Sequence, residues 1–110
     1  MLFDRNTPTV TLLQRDFLLV DPLETGLFDA VLMNPPFKNG SDIRHVRHAI
    51  RFLRPGGRLA SFCYDGPRQA EVLKPLALNS GGIWEPLGPG AFRSSNTNAS
   101  TVILTINSEN

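Results

Sequence analysis

Apolar residues fall into short blocks separated by turn formers, and the spacing within the blocks changes along the chain. Residues 27–33 are apolar except for Asp29 and are closed by Pro35 and Pro36, neither of which can donate to a ladder. Such a run predicts a buried parallel strand. A shorter apolar block at residues 10–13 predicts a first strand ending near Asp16, and residues 20–26, with Asp-Pro and Thr-Gly, predict a loop. After the prolines the period changes. Ile43, Val46, Ile50 and Leu53 recur at helical spacing, with Ser41 or Asp42 as cap and Pro55-Gly56-Gly57 as stop. Residues 59–64 predict the next strand. A second helix is predicted over 68–78, bent or ended by Pro75. A short strand at 82–85, a polar loop at 87–100 and a last strand at 101–106 follow. Strands alternating with helices mean α/β, and the strand–helix–strand unit should cross over with the right hand. Phe3, Phe52, Phe62 and Trp84 are assigned to the core.

Composition narrows the picture a little. The 110 residues are 41% hydrophobic and 19% charged, an ordinary globular balance that predicts one small domain. The formal net charge of +1 excludes an acidic mimic of nucleic acid and gives no global basic signature. Cys63 is the sole cysteine, so no internal disulfide forms, which fits a reducing cytoplasm. The start is not a signal peptide, and no apolar run is long enough to span a bilayer.

Chemistry is expected at Asn34-Pro35-Pro36-Phe37, directly after the strongest strand, because ligands bind beyond the carboxyl ends of strands in open α/β sheets. An amino group on a conjugated ring is a poor nucleophile, since its lone pair is delocalised. A site that accepts both N–H hydrogens draws the nitrogen toward tetrahedral geometry and aims the lone pair at a methyl donor. The Asn34 amide oxygen is one acceptor and the Pro35 carbonyl the other, held rigidly by two prolines. Phe37 offers a flat face for a planar substrate.

These residues resemble the fourth motif of the amino-methyltransferases, class I S-adenosylmethionine-dependent enzymes acting on DNA adenine N6, RNA guanine N2 or release-factor glutamine. Phe28-Asp29-Ala30-Val31-Leu32-Met33 is similar to the family's fourth strand. Residues 42–49 with Leu53-Arg54-Pro55-Gly56-Gly57-Arg58-Leu59 are similar to its next helix and fifth strand, in wording most like N6-adenine DNA methyltransferases of phages and mobile elements. Gly90-Ala91-Phe92, the Ser/Asn run and Thr101-Val102-Ile103-Leu104 resemble the end of the same proteins. The resemblance implies a partial Rossmann-like sheet, its C-terminal half, with an antiparallel final strand. It implies S-adenosylmethionine as methyl donor and direct transfer to an amino nitrogen, most of all adenine N6 of DNA. Asn34, Pro35, Pro36 and Phe37 then hold the substrate, and Asp16, Phe17 and Asn34 the cofactor, Asp16 through its adenine amino group.

The family's first half has no counterpart in the 110 residues: no Gly-rich turn to cradle the methionine end and no acid for the ribose. Gly88-Pro89-Gly90 follows no convincing strand and opens no helix, so it is not a cofactor loop. Without its inner neighbours the strand at 27–33 becomes an apolar edge. Either the first strand re-docks beside it, two copies pair as a homodimer, or a companion chain supplies the missing half. The isolated chain is expected to be incomplete as an enzyme. The rival readings are a non-enzymatic binding or regulatory module and one half of a split enzyme. Arg44, Arg47, Arg51 and Arg54 fall on one face of the predicted helix and, with Lys38, either contact nucleic-acid phosphates or form a solvated surface. His45 and His48 lack a third ligand for a metal and are read as surface residues. Tyr64 and Asp65 either line the site or make a plain turn with Gly66-Pro67.

Overall fold

Three rows of side chains, in register across neighbouring strands, make the centre of the structure. Val31 pairs with Leu59 and Leu59 with Ile106; Met33 pairs with Ser61 and Ser61 with Leu104; Cys63 pairs with Val102. The strands carrying them belong to one six-stranded mixed sheet in this computed structural model, which describes residues 2–4, 7–11, 16–88 and 100–109, the first two segments by backbone alone. The strands are β1 (Leu2–Asp4), β2 (Thr7–Thr11), β3 (Phe28–Met33), β4 (Leu53–Tyr64), β5 (Trp84–Gly88) and β6 (Thr101–Asn107), in spatial order β2-β1-β3-β4-β6-β5. Only β3 and β4 run parallel; the other neighbours, including the last strand, are antiparallel. The architecture is α/β and Rossmann-like, as the sequence predicts.

The helices are α1 (Pro22–Thr25), α2 (Ser41–Ile50) and α3 (Pro67–Asn79). Val46 and Ala49 of α2 and Leu73 and Ala77 of α3 are fully buried with Phe52, Leu59 and Leu104 in one core. Each large aliphatic side chain taken out of water there contributes about 1.5–3 kcal/mol. Pro75 sits on the exposed side of α3 without ending it.

The structure corrects several expectations. α2 ends at Ile50, and Leu53, which fits the helical period, opens β4 opposite Phe28. The Phe28 N–H donates to the Phe52 carbonyl (2.7 Å), so pairing with β3 overrides the helical pattern. Arg54-Pro55-Gly56-Gly57 is therefore a bulge within β4, not a helix stop: β3 advances from Phe28 to Ala30 while β4 advances from Leu53 to Arg58. A Cβ on Gly57 would fall 2.9 Å from the Arg54 carbonyl oxygen, so the bulge needs glycine there. Residues 22–25, read as loop, form one helical turn capped by Asp21, whose Oδ1 accepts the Leu23 N–H (2.8 Å). Of the strand expected at 10–13, Val10 and Thr11 belong to β2 (Thr7–Thr11), and β5 lies at Trp84–Gly88 rather than 82–85. The segment beside β3 is β1, antiparallel, with Leu2 opposite Val31 and Phe3 opposite Ala30. The expectations for residues 12–15 and 89–99 lie outside the described residues.

One buried charge fastens these parts. Asp42 is fully buried at the start of α2. Its Oδ2 accepts the Tyr64 N–H at 2.8 Å, its Oδ1 accepts the Ile43 N–H at 2.9 Å, and Gln69 Nε2 donates to both oxygens at 3.1 and 3.3 Å. Truncation would leave a strand N–H and a buried amide without acceptors, each costing about 1–3 kcal/mol. Asp42→Ala is expected to lower the unfolding free energy in urea by about 3 kcal/mol or more. An unchanged midpoint and slope would show that the carboxylate fastens nothing.

Candidate functional site

The Asn34–Phe37 corner forms because proline can be buried without stranding a donor. Pro35 is buried, Asn34 and Pro36 are exposed, and Phe37 is half-buried, immediately beyond the last residue of β3. The chain then reverses through a 3-10 turn at Lys38–Gly40. Asn39 (φ 56°) and Gly40 (φ 71°) both take the left-handed conformation, which asparagine and glycine tolerate best. That reversal delivers Ser41 to the start of α2 and leaves Lys38 exposed beside the corner.

The parallel neighbour β4 brings a second aromatic ring to the same place. Tyr64 ends β4, and its ring centroid lies 6.4 Å from that of Phe37, with the planes tilted by 49°. Tyr64 is 41% exposed. Behind it, a Cβ on Gly66 would fall 2.7 Å from Tyr64 Cδ2 and 2.6 Å from Gln69 Oε1, so the turn holds the ring closely. Arg68, at the start of α3, lays its guanidinium over the 3-10 turn: a Cβ on Gly40 would be 3.1 Å from its Nη2. Arg44 reaches the same turn, its Nη1 donating to the Asn39 carbonyl (3.3 Å). Sequence reasoning named Lys38, Arg44 and Tyr64 but missed Asp42 as a hub, together with Gln69 and Arg68. Their roles depend on neighbours from separate elements and leave no local signal.

Asp16 and Phe17 are placed by packing on the other flank of α2. Asp16 is exposed, and its Oδ1 accepts the Leu18 N–H at 3.1 Å, capping a 3-10 turn at Phe17–Leu19. The Phe17 ring packs against His48 (4.8 Å), Phe52 (5.1 Å) and His45 (6.2 Å). The histidines are half-buried fasteners rather than surface residues. His48 Nε2 donates to the Val20 carbonyl and His45 Nδ1 to the Ser41 carbonyl, each at 2.7 Å.

The arginine stripe does not run along one helix. Arg54 lies on β4 and pairs with Asp29 at 3.3 Å; Arg51 follows α2 and stands 4.0 Å from Asp21. Both are at the end of α2 remote from Asn34, while Arg44 is at the near end and Arg47 is exposed between them.

A family model described as "Methyltransferase small domain" matches residues 3–76. The chain belongs to that family. Two solved structures share the fold of this methyltransferase domain. The M protein of the type I restriction enzyme EcoKI aligns at 20% identity and a TM-score of 0.59, over 86% of this chain and 23% of its own. An rRNA methylase from Streptococcus thermophilus aligns at 18% identity and a TM-score of 0.51, over 88% of this chain and 57% of its own. The domain thus spans about a quarter of the one structure and just over half of the other. No curated protein sequence matches it. Among the described residues no group of three or more His, Cys, Asp or Glu could hold a metal ion, and no helix is long and apolar enough to cross a membrane.

An open groove of about 510 Å³, lined by Ile50, Val72, Leu76, Ile106 and Glu109 among others, lies at the opposite end of the sheet. It is not part of the Asn34 site. Beneath Tyr64, Cys63 is fully buried, and its thiol pKa is pushed from 9.0 to about 12 by burial first and then by Asp42 and Asp65. A thiol that ionises later in the folded than in the unfolded state leaves stability intact below pH 9.0 and lowers it as pH climbs toward about 12. Unfolding free energy should therefore decline across that window, and Cys63→Ala should flatten the decline. An identical slope in the variant would rule out Cys63 as its source.

Proposed function

We propose that the 110 residues act as one partial methyltransferase domain whose Asn34–Phe37 corner grips an exocyclic amino group, adenine N6 of DNA being the substrate it fits best. The observation carrying this reading is Asn34 standing exposed at the tip of β3, on a corner locked by the buried Pro35. The Asn34 amide oxygen and the Pro35 carbonyl accept the two amine hydrogens, and Phe37 stacks on the ring. An adenine in duplex DNA is flipped out to reach them. The chemistry needs neither a metal nor a covalent enzyme intermediate.

The family implies S-adenosylmethionine, which would supply the methyl group. The residues fit one end of it. Asp16 is an exposed carboxylate suited to the cofactor's adenine amino group, while Phe17 contributes through packing, its ring being turned onto α2. The methionine end has no such match: the edge of β3 carries the antiparallel β1, and no Gly-rich turn stands among the described residues. The residues therefore do not fit the whole cofactor. This chain by itself binds the cofactor weakly and turns over negligibly.

The β1–β3 pairing also favours a second reading, a binding or regulatory module derived from a methyltransferase, because it closes the edge without another chain. That pairing joins only two residue positions, so a companion chain or a second copy that paired with β3 would displace a short contact.

Calorimetry with S-adenosylmethionine tests the proposal. The purified chain should show a dissociation constant of order millimolar or weaker, and micromolar affinity would overturn the incomplete-site reading. Asn34→Ala should abolish any methyl transfer to DNA that the chain shows with a companion, whereas a binding module would keep its biological effect.

A further inference from the structure

We infer that Tyr64 and Arg68 complete a nucleotide subsite around the corner: Phe37 and Tyr64 receive the base, and Arg68 with Lys38 receives a neighbouring phosphate. This rests on the amino-group reading above and specifies its substrate as a nucleotide within a nucleic acid rather than a protein side chain.

Two independent observations meet here. The first is aromatic. Rings 6.4 Å apart and tilted by 49° are too close and too angled to sandwich a base, but they form an open corner. A planar base stacks on one ring and meets the edge of the other, both favourable aromatic geometries. Tyr64 is 41% exposed at a strand end, yet its N–H is held by Asp42, which Gln69 also binds, and its ring lies close against Gly66. A glutamine side chain has no ring to use this surface.

The second observation is charge. Residues 34–44 and 64–68 contain the cations Lys38, Arg44 and Arg68 against two acids, Asp42 and Asp65. Asp42 is buried and already accepts three donors, so Asp65 is the one exposed carboxylate of the group. Among the described residues, Lys38, Arg44 and Arg68 form no ion pair, whereas Arg51 and Arg54 at the far end of α2 each stand beside an aspartate. Arg68 is exposed, with its guanidinium laid across Gly40, where the absence of a side chain leaves it room. A planar fork in that position suits a phosphate oxygen pair. Phe37 precedes the 3-10 turn at Lys38–Gly40 and Arg68 lies over its last residue, so aromatic corner and cation flank one short turn.

Tyr64 is the chain's only tyrosine, so it reports on its own site. Chain labelled with 13C at the tyrosine ring is titrated with a short single-stranded adenine oligodeoxynucleotide, its ribonucleotide counterpart, and a glutamine-containing peptide. The Tyr64 ring signal should shift upfield, saturably, with the oligonucleotides and stay put with the peptide. Tyr64→Ala should weaken binding by about tenfold, as expected for one lost stacking partner, with Tyr64→Phe close to the parent. The Lys38→Ala, Arg68→Ala double variant should lower the slope of log affinity against log salt by about 1.4, two phosphate contacts on a single strand. DNA and RNA arms that differ identify the sugar; equal arms assign recognition to base and phosphate, and either result supports the subsite. An unmoved Tyr64 signal, a shift with the peptide alone, or an unchanged salt slope overturns it. Asn34→Ala separates this from the parent reading. It should erase preference for adenine over purine, which lacks the amino group, and leave the Tyr64 shift intact. If the shift persists but that preference never existed, the amino-group reading falls while the subsite stands.

Discussion

The site depends on a carboxylate that solvent never reaches. A buried charge is tolerable only when donors replace its water, and Asp42 has three: the N–H groups of Ile43 and Tyr64 and the amide of Gln69. Those donors come from the start of α2, the end of β4 and the first turns of α3. The same three places carry the residues around the corner, since α2 begins after Gly40, β4 ends at Tyr64 and α3 begins beside Arg68. An apolar residue of equal volume could fill the space but would leave the Tyr64 N–H unpaired at the tip of the strand. Asp42 therefore fixes where three element ends meet as much as it stabilises the domain.

The corner itself uses a different device. Ending a central strand inside the protein normally strands backbone donors. Pro35 has no N–H, so it can be buried directly after β3 and carry the exposed Asn34 on one side and Phe37 on the other. Asn39 and Gly40 then turn the chain through left-handed conformations within two residues. The reversal is tight enough to bring the start of α2 under Tyr64, where Asp42 can meet its N–H. Rigid corner and buried hub are thus two ends of one short segment, residues 34–42.

How much of this was legible in the sequence follows from how local each determinant is. β3, β6 and α3 were read nearly to the residue, because alternation, helical period and proline or glycine boundaries are carried by neighbours in the chain. The Asn34–Phe37 corner was legible for the same reason. Leu53 was not: its spacing from Ile43, Val46 and Ile50 suits a helix equally well, and only pairing with Phe28 decides for strand. Asp42 read as a cap residue. Nothing nearby says that its carboxylate turns inward to partners 22 and 27 residues away. His45 and His48 looked superficial for a similar reason, since the Val20 carbonyl that His48 binds lies 28 residues back.

Net charge was the least informative quantity, and the structure shows why. A total of +1 sums residues that do not act together. At the far end of α2, Arg51 and Arg54 have aspartates beside them, so their fields cancel locally. At the near end, Lys38, Arg44 and Arg68 have no such partners among the described residues, and the nearest buried acid is occupied by hydrogen bonds. Salt screens charges beyond about 8 Å, so a ligand at the corner feels mainly its own neighbourhood. A nearly neutral chain can therefore present a cationic rim beside the Asn34–Phe37 corner. The direction of α2, set by the corner at one end and by the Phe28–Phe52 hydrogen bond at the other, divides the charge in this way.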